Sequence, residues 1–96
     1  MVGADTEHVA LPAVVDLDAL DAVRDQLIEA IERGPVLVSG SAVERISTNA
    51  LFMLISAAES ARRNNFSFTL ARASNPLATA IERLGLGDRF AGMMKG

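Results

Sequence analysis

The sequence predicts an α/β fold in which a single sheet of three to four strands, mainly parallel or mixed, is flanked by three to four helices. Apolar residues follow a strand-like and then a helix-like pattern three times in succession along the chain. Val36-Leu37-Val38 is a continuous aliphatic run, typical of a strand covered on both faces. Each helical segment is about three or four turns long, so one such sheet with its helices accounts for the whole length.

The first strand and helix are predicted upstream of that aliphatic run. We expect a strand over residues 8–11, extended by Val14 and Val15, and then a helix capped at its start by Asp16 or Asp18. Gly34-Pro35 ends this helix, because glycine tolerates positive φ and proline cannot continue the hydrogen-bond ladder. The buried stripe of the helix is formed by apolar residues spaced three or four apart: Leu20, Val23, Leu27 and Ile31.

The second helix is predicted to begin at the turn that contains Ser47 and Thr48 and to end at Asn64-Asn65. Its apolar stripe consists of Leu51, Leu54, Ile55, Ala58 and Ala61. The strand that follows shows period-two alternation, with Phe66, Phe68 and Leu70 on its better-buried face.

Asn75-Pro76 predicts the start of a third helix, with Asn75 as the N-cap and Gly85 at the end. Beyond it, residues 86–90 are predicted to form a turn that folds Phe90 back onto the body of the protein. We therefore expect residues 1–96 to form one domain with a core over residues 9–90, and residues 1–6 and 93–96 to be loose.

Composition excludes several classes of function. A formal net charge of -3 and an aromatic content of 4% argue against a surface that neutralises phosphates and stacks on bases, so we expect no nucleic acid partner. The absence of cysteine removes disulfides and thiolate metal sites and suits a reducing compartment. No apolar run approaches the roughly 20 residues of a membrane helix, which predicts a cytoplasmic protein without membrane insertion.

Catalytic and metal-binding constellations are not indicated either. His8 is the single histidine, and no hydroxyl or carboxylate pattern accompanies it. The acidic residues between Asp16 and Asp25 surround a helix start, where the dipole favours them, and lack the spacing of a calcium loop. The glycine-containing turns lack the spacing and the lysine of nucleotide fingerprints. We expect no catalytic residue, no metal and no cofactor.

The most informative segment runs from Ser39 to Leu51, where a strand leads into a polar turn whose hydroxyls open a helix. A helix start presents unpaired N–H groups and the positive end of the dipole, so a phosphate on Ser or Thr there is stabilised. The same residue types also cap helices that are never modified. Both interpretations, a phosphorylation switch and a simple cap, are open at this point.

Within this segment, the aliphatic strand is followed by Val43 and then by Ser47-Thr48-Asn49-Ala50-Leu51. The pattern resembles the STAS domain, a family named for sulphate transporters and anti-sigma factor antagonists, in which a strand, a valine and Asp-Ser-Ser/Thr-Gly-Leu occur in this order. Ser39 and Ser47 stand where the family usually has Asp, and Ala50 stands where it has Gly. Downstream, Phe66-Ser67-Phe68-Thr69-Leu70, Asn75-Pro76 and Ile81-Glu82-Arg83-Leu84-Gly85-Leu86 resemble the family's later strand and closing helix.

The resemblance implies a non-enzymatic regulatory domain that binds a partner protein kinase, of the anti-sigma or histidine-kinase type, through this turn and the following helix. Thr48 matches the hydroxyl residue that is phosphorylated in the family, with Ser47 as the less favoured candidate. The proposed partner-binding residues are Ser41, Glu44, Arg45, Thr48, Asn49 and Phe52, with Met53 at their edge.

The chain is compatible with three functions. The small domain and altered pentapeptide look most similar to stand-alone STAS proteins that accompany bacterial histidine-kinase or chemotaxis systems. The first alternative is an anti-sigma factor antagonist that acts by partner switching. The second is a small-molecule or nucleotide binder that uses a pocket beside the Ser39 turn.

Overall fold

The computed structural model describes residues 6–95 and places a four-stranded parallel sheet at the centre of the fold. Its strands are β1 (Glu7–Ala10), β3 (Val36–Ser39), β5 (Phe68–Ala71) and β6 (Met94–Lys95), in the spatial order β1-β3-β5-β6. A separate two-stranded parallel sheet pairs β2 (Val14–Val15) with β4 (Arg45–Ile46). The helices are α1 (Leu17–Arg33), α2 (Thr48–Arg63), α3 (Asn75–Arg83) and α4 (Gly87–Ala91).

The predicted central strand is confirmed. β3 lies between β1 and β5, with Val36 paired to Glu7 on one side and to Phe68 on the other. Val36 and Val38 are almost fully buried, as expected for an aliphatic strand in the middle of a parallel sheet.

Helices α1 and α2 pack against each other, α1 also against β1 and α2 also against β5. The order β1-β3-β5 advances in one direction across the sheet, so right-handed crossovers place both helices on the same face. The predicted apolar stripes supply the contact, since Val23, Leu27, Leu51 and Leu54 are all buried. Asn64 ties the two helix ends together by donating from Nδ2 to the carbonyl of Ile31 at 3.3 Å.

The helix ends follow the predicted residues with two corrections. Asp16 caps α1, accepting from the N–H groups of Asp18 at 3.1 Å and Ala19 at 3.2 Å. Gly34 follows α1 as predicted, but its φ of 167° is extended backbone, so left-handed tolerance is not the reason. Ser74, and not Asn75, caps α3, because its hydroxyl accepts from the N–H of Leu77 at 3.2 Å.

Other predictions about the sheet were wrong. Val14 and Val15 do not extend β1 but form β2, which pairs with β4 in a second sheet that the sequence analysis did not predict. The strand predicted from Phe66 onward starts later than expected, since β5 begins at Phe68 and leaves Phe66 half-buried beside the core.

The carboxyl-terminal segment contains a short helix and a short strand that the sequence did not predict. Phe90, predicted to lie in a turn, belongs to the short helix α4 and is completely buried. Met93 is also buried, and Met94 and Lys95 pair with Leu70 and Ala71 of β5 instead of forming a loose end. Of the segments predicted to be loose, 1–6 and 93–96, residues 1–5 and Gly96 lie outside the described residues.

Within residues 6–95, none of the helices is both long enough and apolar enough to cross a membrane.

Candidate functional site

The small β2–β4 sheet positions the candidate site, because it sets where α1 and α2 begin. Val14 pairs with Arg45 and Val15 with Ile46, so the N-caps that follow these two strands, Asp16 and Ser47, lie next to each other. The N–H of Ser47 donates to the carbonyl of Val15 at 2.9 Å and extends this pairing by one residue. The two helices therefore start side by side at one edge of the molecule.

The first turn of α2 separates the roles of its two hydroxyl residues. Ser47 is half-buried, and its Oγ accepts from the N–H of Ala50 at 3.1 Å, so this hydroxyl caps the helix. Thr48 is the first helical residue and its side chain is exposed. No acidic residue occupies the first turn of α2. A phosphate on Thr48 would therefore lie at the positive end of the dipole without a carboxylate on that turn to repel it.

The remaining predicted partner-binding residues are also exposed. Ser41 lies in the loop that follows β3, where its Oγ is 3.3 Å from the Oγ of Ser39. Glu44 and Arg45 are held by N–H bonds to the carbonyl of Ala13, at 2.7 Å and 3.1 Å. Asn49 and Phe52 share the outer face of α2 with Thr48, opposite the buried stripe, and Phe52 is 47% exposed. We call the six residues together the Thr48 face: Ser41, Glu44, Arg45, Thr48, Asn49 and Phe52.

Two apolar residues beside this face were missed by sequence reasoning. Leu17 is 66% exposed at the start of α1, and Val14 is 39% exposed in β2 next to Arg45. The pairing of β2 with β4 brings both to the start of α2, and this pairing has no sequence signature. No sequence signal marked Leu17, because it stands three residues before Leu20 and so continues the apolar stripe of α1 by spacing.

Ser74 holds the loop that leads to the Thr48 face. Its hydroxyl donates to the carbonyl of Val43 at 2.6 Å, and its N–H donates to the carbonyl of Gly40 at 3.1 Å. Gly40 is buried against α3, where a Cβ atom would lie 2.5 Å from Cδ2 of Leu77. The interior of the Ser39 turn is therefore filled by Leu77, which argues against a small-molecule pocket at this place.

Comparison with known proteins identifies the family. A family model described as "Mlab, STAS domain" matches residues 3–95. The chain belongs to the STAS domain family. STAS domains are generally non-catalytic regulatory domains, and the α/β fold described above is a STAS fold.

Two solved structures show the same STAS fold. The anti-sigma factor antagonist SpoIIAA in its unphosphorylated form superposes with a TM-score of 0.76 at 15% identity, over 99% of this chain and 82% of that one. A sulfate transporter family protein from Wolinella succinogenes gives a TM-score of 0.69 at 17% identity, over 98% of this chain and 79% of that one. No curated protein sequence matches the chain. These comparisons support a STAS domain similar in structure to an anti-sigma factor antagonist, and they lend no support to a link with chemotaxis.

Proposed function

We propose that this STAS domain is a regulatory protein-interaction domain that docks on a partner protein kinase through the Thr48 face and is released when Thr48 is phosphorylated. The observation that carries the proposal is that Ser47 and Thr48 have different roles at the start of α2. The hydroxyl of Ser47 accepts from an N–H group at the helix N-terminus, so the hydroxyl of Thr48 is not needed as the cap. Thr48 is exposed, and no acidic residue lies in its turn of the helix. A cytoplasmic location and a single domain over residues 1–96 are part of this proposal.

The apolar groups around Thr48 supply the means of docking. Phe52 lies one turn after Thr48 on the same face of α2, and Leu17 lies at the neighbouring helix start. Exposed aromatic and aliphatic side chains next to polar ones are typical of an interface anchor with a polar rim. A phosphate at Thr48 would add about two negative charges inside this patch and would disfavour the docked state.

The partner is a kinase of the anti-sigma or histidine-kinase type in this proposal. Between these two, the similarity in structure to an anti-sigma factor antagonist favours partner switching. In that mechanism the unphosphorylated domain binds the kinase in competition with the kinase's other partner. Kinases encoded beside the gene for this chain are the first candidates to purify.

The test replaces Thr48 with glutamate and measures affinity for a purified candidate kinase by isothermal titration calorimetry. We expect Thr48→Glu to weaken binding about 5- to 150-fold, the range of a typical coupling between a modification and a ligand. Glutamate in the first turn is favourable for the helix, so a loss of affinity would not be caused by unfolding.

Thr79→Glu is the matched control, because Thr79 is an exposed threonine on α3, a different helix. This variant is expected to bind as the unmodified protein does. Equal affinities for the Thr48 and Thr79 variants and the parent would contradict both the switch and the position of Thr48 in the interface.

A further inference from the structure

A groove between α1 and α2 lies outside the six residues of the Thr48 face. It has a volume of about 210 Å³ and is lined by residues of these two helices alone. Leu27, Ile31 and Ala57 form its buried floor, and Ile28 and Met53 stand at its edges. Ile28 is 44% exposed, whereas Leu27 and Ile31, which lie next to it in the groove, are buried. The lining is mostly apolar, so the groove suits an apolar side chain and not a polar ligand.

The outer edge of the groove on α1 carries negative charge. Asp21, Asp25, Ile28 and Glu32 follow the spacing of four, three and four residues that places them on one face of a helix. Arg24, the one charged residue among those that line the groove, is paired with Asp21 at 3.7 Å. Among the described side chains, Asp25 and Glu32 have no cationic partner within 4.0 Å. Both lie beside Ile28 and outside the lining itself, so two unpaired carboxylates stand on the solvent side of this edge of the groove.

The edge of the groove on α2 is nearly neutral. Ser56 and Ser60 line it, and Glu59 and Arg63 on the solvent side carry opposite charges. Met53 at this edge has a flexible, polarisable side chain that adapts to different apolar partners. Arg24 is offset by Asp21, and Arg63 by Glu59, so the net negative charge beside the groove comes from Asp25 and Glu32 of α1.

We propose that the α1–α2 groove is the docking site for a basic amphipathic helix of a partner protein. Apolar side chains spaced by three and four residues on such a helix would enter between Ile28 and Met53. Lysine or arginine on its flanks would lie against Asp25 and Glu32. The same carboxylates disfavour an anionic membrane surface and a second copy of α1, because each would bring like charge to the edge.

This inference does not depend on the proposed function of Thr48. Phe52 lies one turn before Ser56 on α2, so the groove adjoins the Thr48 face. The residues that line the groove do not include Thr48 or any other member of the Thr48 face.

The test uses a synthetic helical peptide of about 18 residues, a length at which isolated helices form in water. One version has leucine at the apolar positions and lysine elsewhere, and the other has glutamate in place of lysine. Calorimetry and amide chemical shifts of the full chain measure binding. The leucine–lysine peptide is expected to bind and to shift the amides of residues 24–31 and 53–60, and the leucine–glutamate peptide is expected not to bind.

Ile28→Asp separates docking from simple charge attraction. The added carboxylate would strengthen a purely electrostatic contact, whereas our proposal predicts that it weakens peptide binding at least about tenfold by removing an apolar contact. Leu84→Asp is the matched control, since Leu84 is an exposed leucine (45%) at the end of α3. This control and Thr48→Ala are both expected to bind with the parent affinity.

Charge reversal tests the acidic edge. Asp25→Lys with Glu32→Lys is expected to weaken binding of the leucine–lysine peptide about tenfold, a change worth about 1.4 kcal/mol. Glu82→Lys with Asp88→Lys changes the net charge equally on α3 and α4 and is expected to have little effect. Three results would overturn the proposal: undiminished binding by Ile28→Asp, equal binding of the two peptides, or self-association of the chain that Ile28→Asp abolishes.

Discussion

Phe90→Ala is expected to lower the free energy of unfolding by about 3–5 kcal/mol, the range measured for truncating a buried aromatic side chain. Phe90 is completely buried, and it is the largest side chain in that state. Its helix, α4, has five residues and no side-chain cap, so it does not persist without tertiary contacts. The loss should be large because removal of the ring leaves a cavity and removes the buried contact that holds α4 against the core.

Urea denaturation followed by circular dichroism measures this effect. Phe52→Ala is the matched control, because Phe52 is 47% exposed on α2 and its removal should cost less than about 1 kcal/mol. Amide exchange should also become faster in residues 91–95, since β6 follows α4 directly. Equal losses of stability for the two variants would contradict the placement of Phe90 in the core.

Ser74→Ala is expected to lower the free energy of unfolding by about 2 kcal/mol, since two hydrogen bonds are lost at one side chain. The N–H of Leu77 loses its cap, and the carbonyl of Val43 loses the donor that lies 2.6 Å away. At about 4–8 °C per kcal/mol for a domain of this size, the melting temperature should fall by roughly 8–16 °C.

Two further variants show how much of this loss of stability comes from each of the two hydrogen bonds of Ser74. Ser74→Thr retains a hydroxyl and should preserve most of the stability, whereas Ser74→Asp keeps an acceptor for Leu77 but has no donor for Val43. We therefore expect the Asp variant to be less stable than the Thr variant. If the alanine variant melted within about 2 °C of the parent, Ser74 would not hold the loop that precedes the Thr48 face.

The parts of the fold that the sequence predicted are those governed by local periodicity. The apolar stripe of α1, the aliphatic run of β3 and the alternation around Phe68 each reflect burial on one face of one element. The helix starts at Asp16 and Ser47 were likewise predictable, because capping depends on residues a few positions apart.

The parts that the sequence did not predict depend on contacts between distant segments. Strands β2 and β4 have two residues each, too few to show a period, and are defined by the pairing of Val14 with Arg45. Strand β6 is similar, because Met94 forms a strand only by pairing with Leu70. Asn75 and Ser74 are equally good caps by residue type, and the contact of Ser74 with the carbonyl of Val43 decided between them.

The candidate site divides in the same way. Thr48 was predicted as a site residue from its position in the pentapeptide and Phe52 from its position off the apolar stripe of α2, and the structure has both side chains exposed. Their role in binding stays a prediction. Leu17 was missed because only the second sheet shows that α1 and α2 begin together.

Hydrogen–deuterium exchange of the chain bound to a purified partner kinase tests the Thr48 face most directly. Our account predicts slower exchange on binding for residues 41–53, which include the loop after β3 and the first turns of α2, and unchanged exchange for residues 86–95. It also predicts that this protection is lost in Thr48→Glu and kept in Thr79→Glu. Protection confined to residues 86–95, with residues 41–53 exchanging as they do in the free chain, would contradict the account.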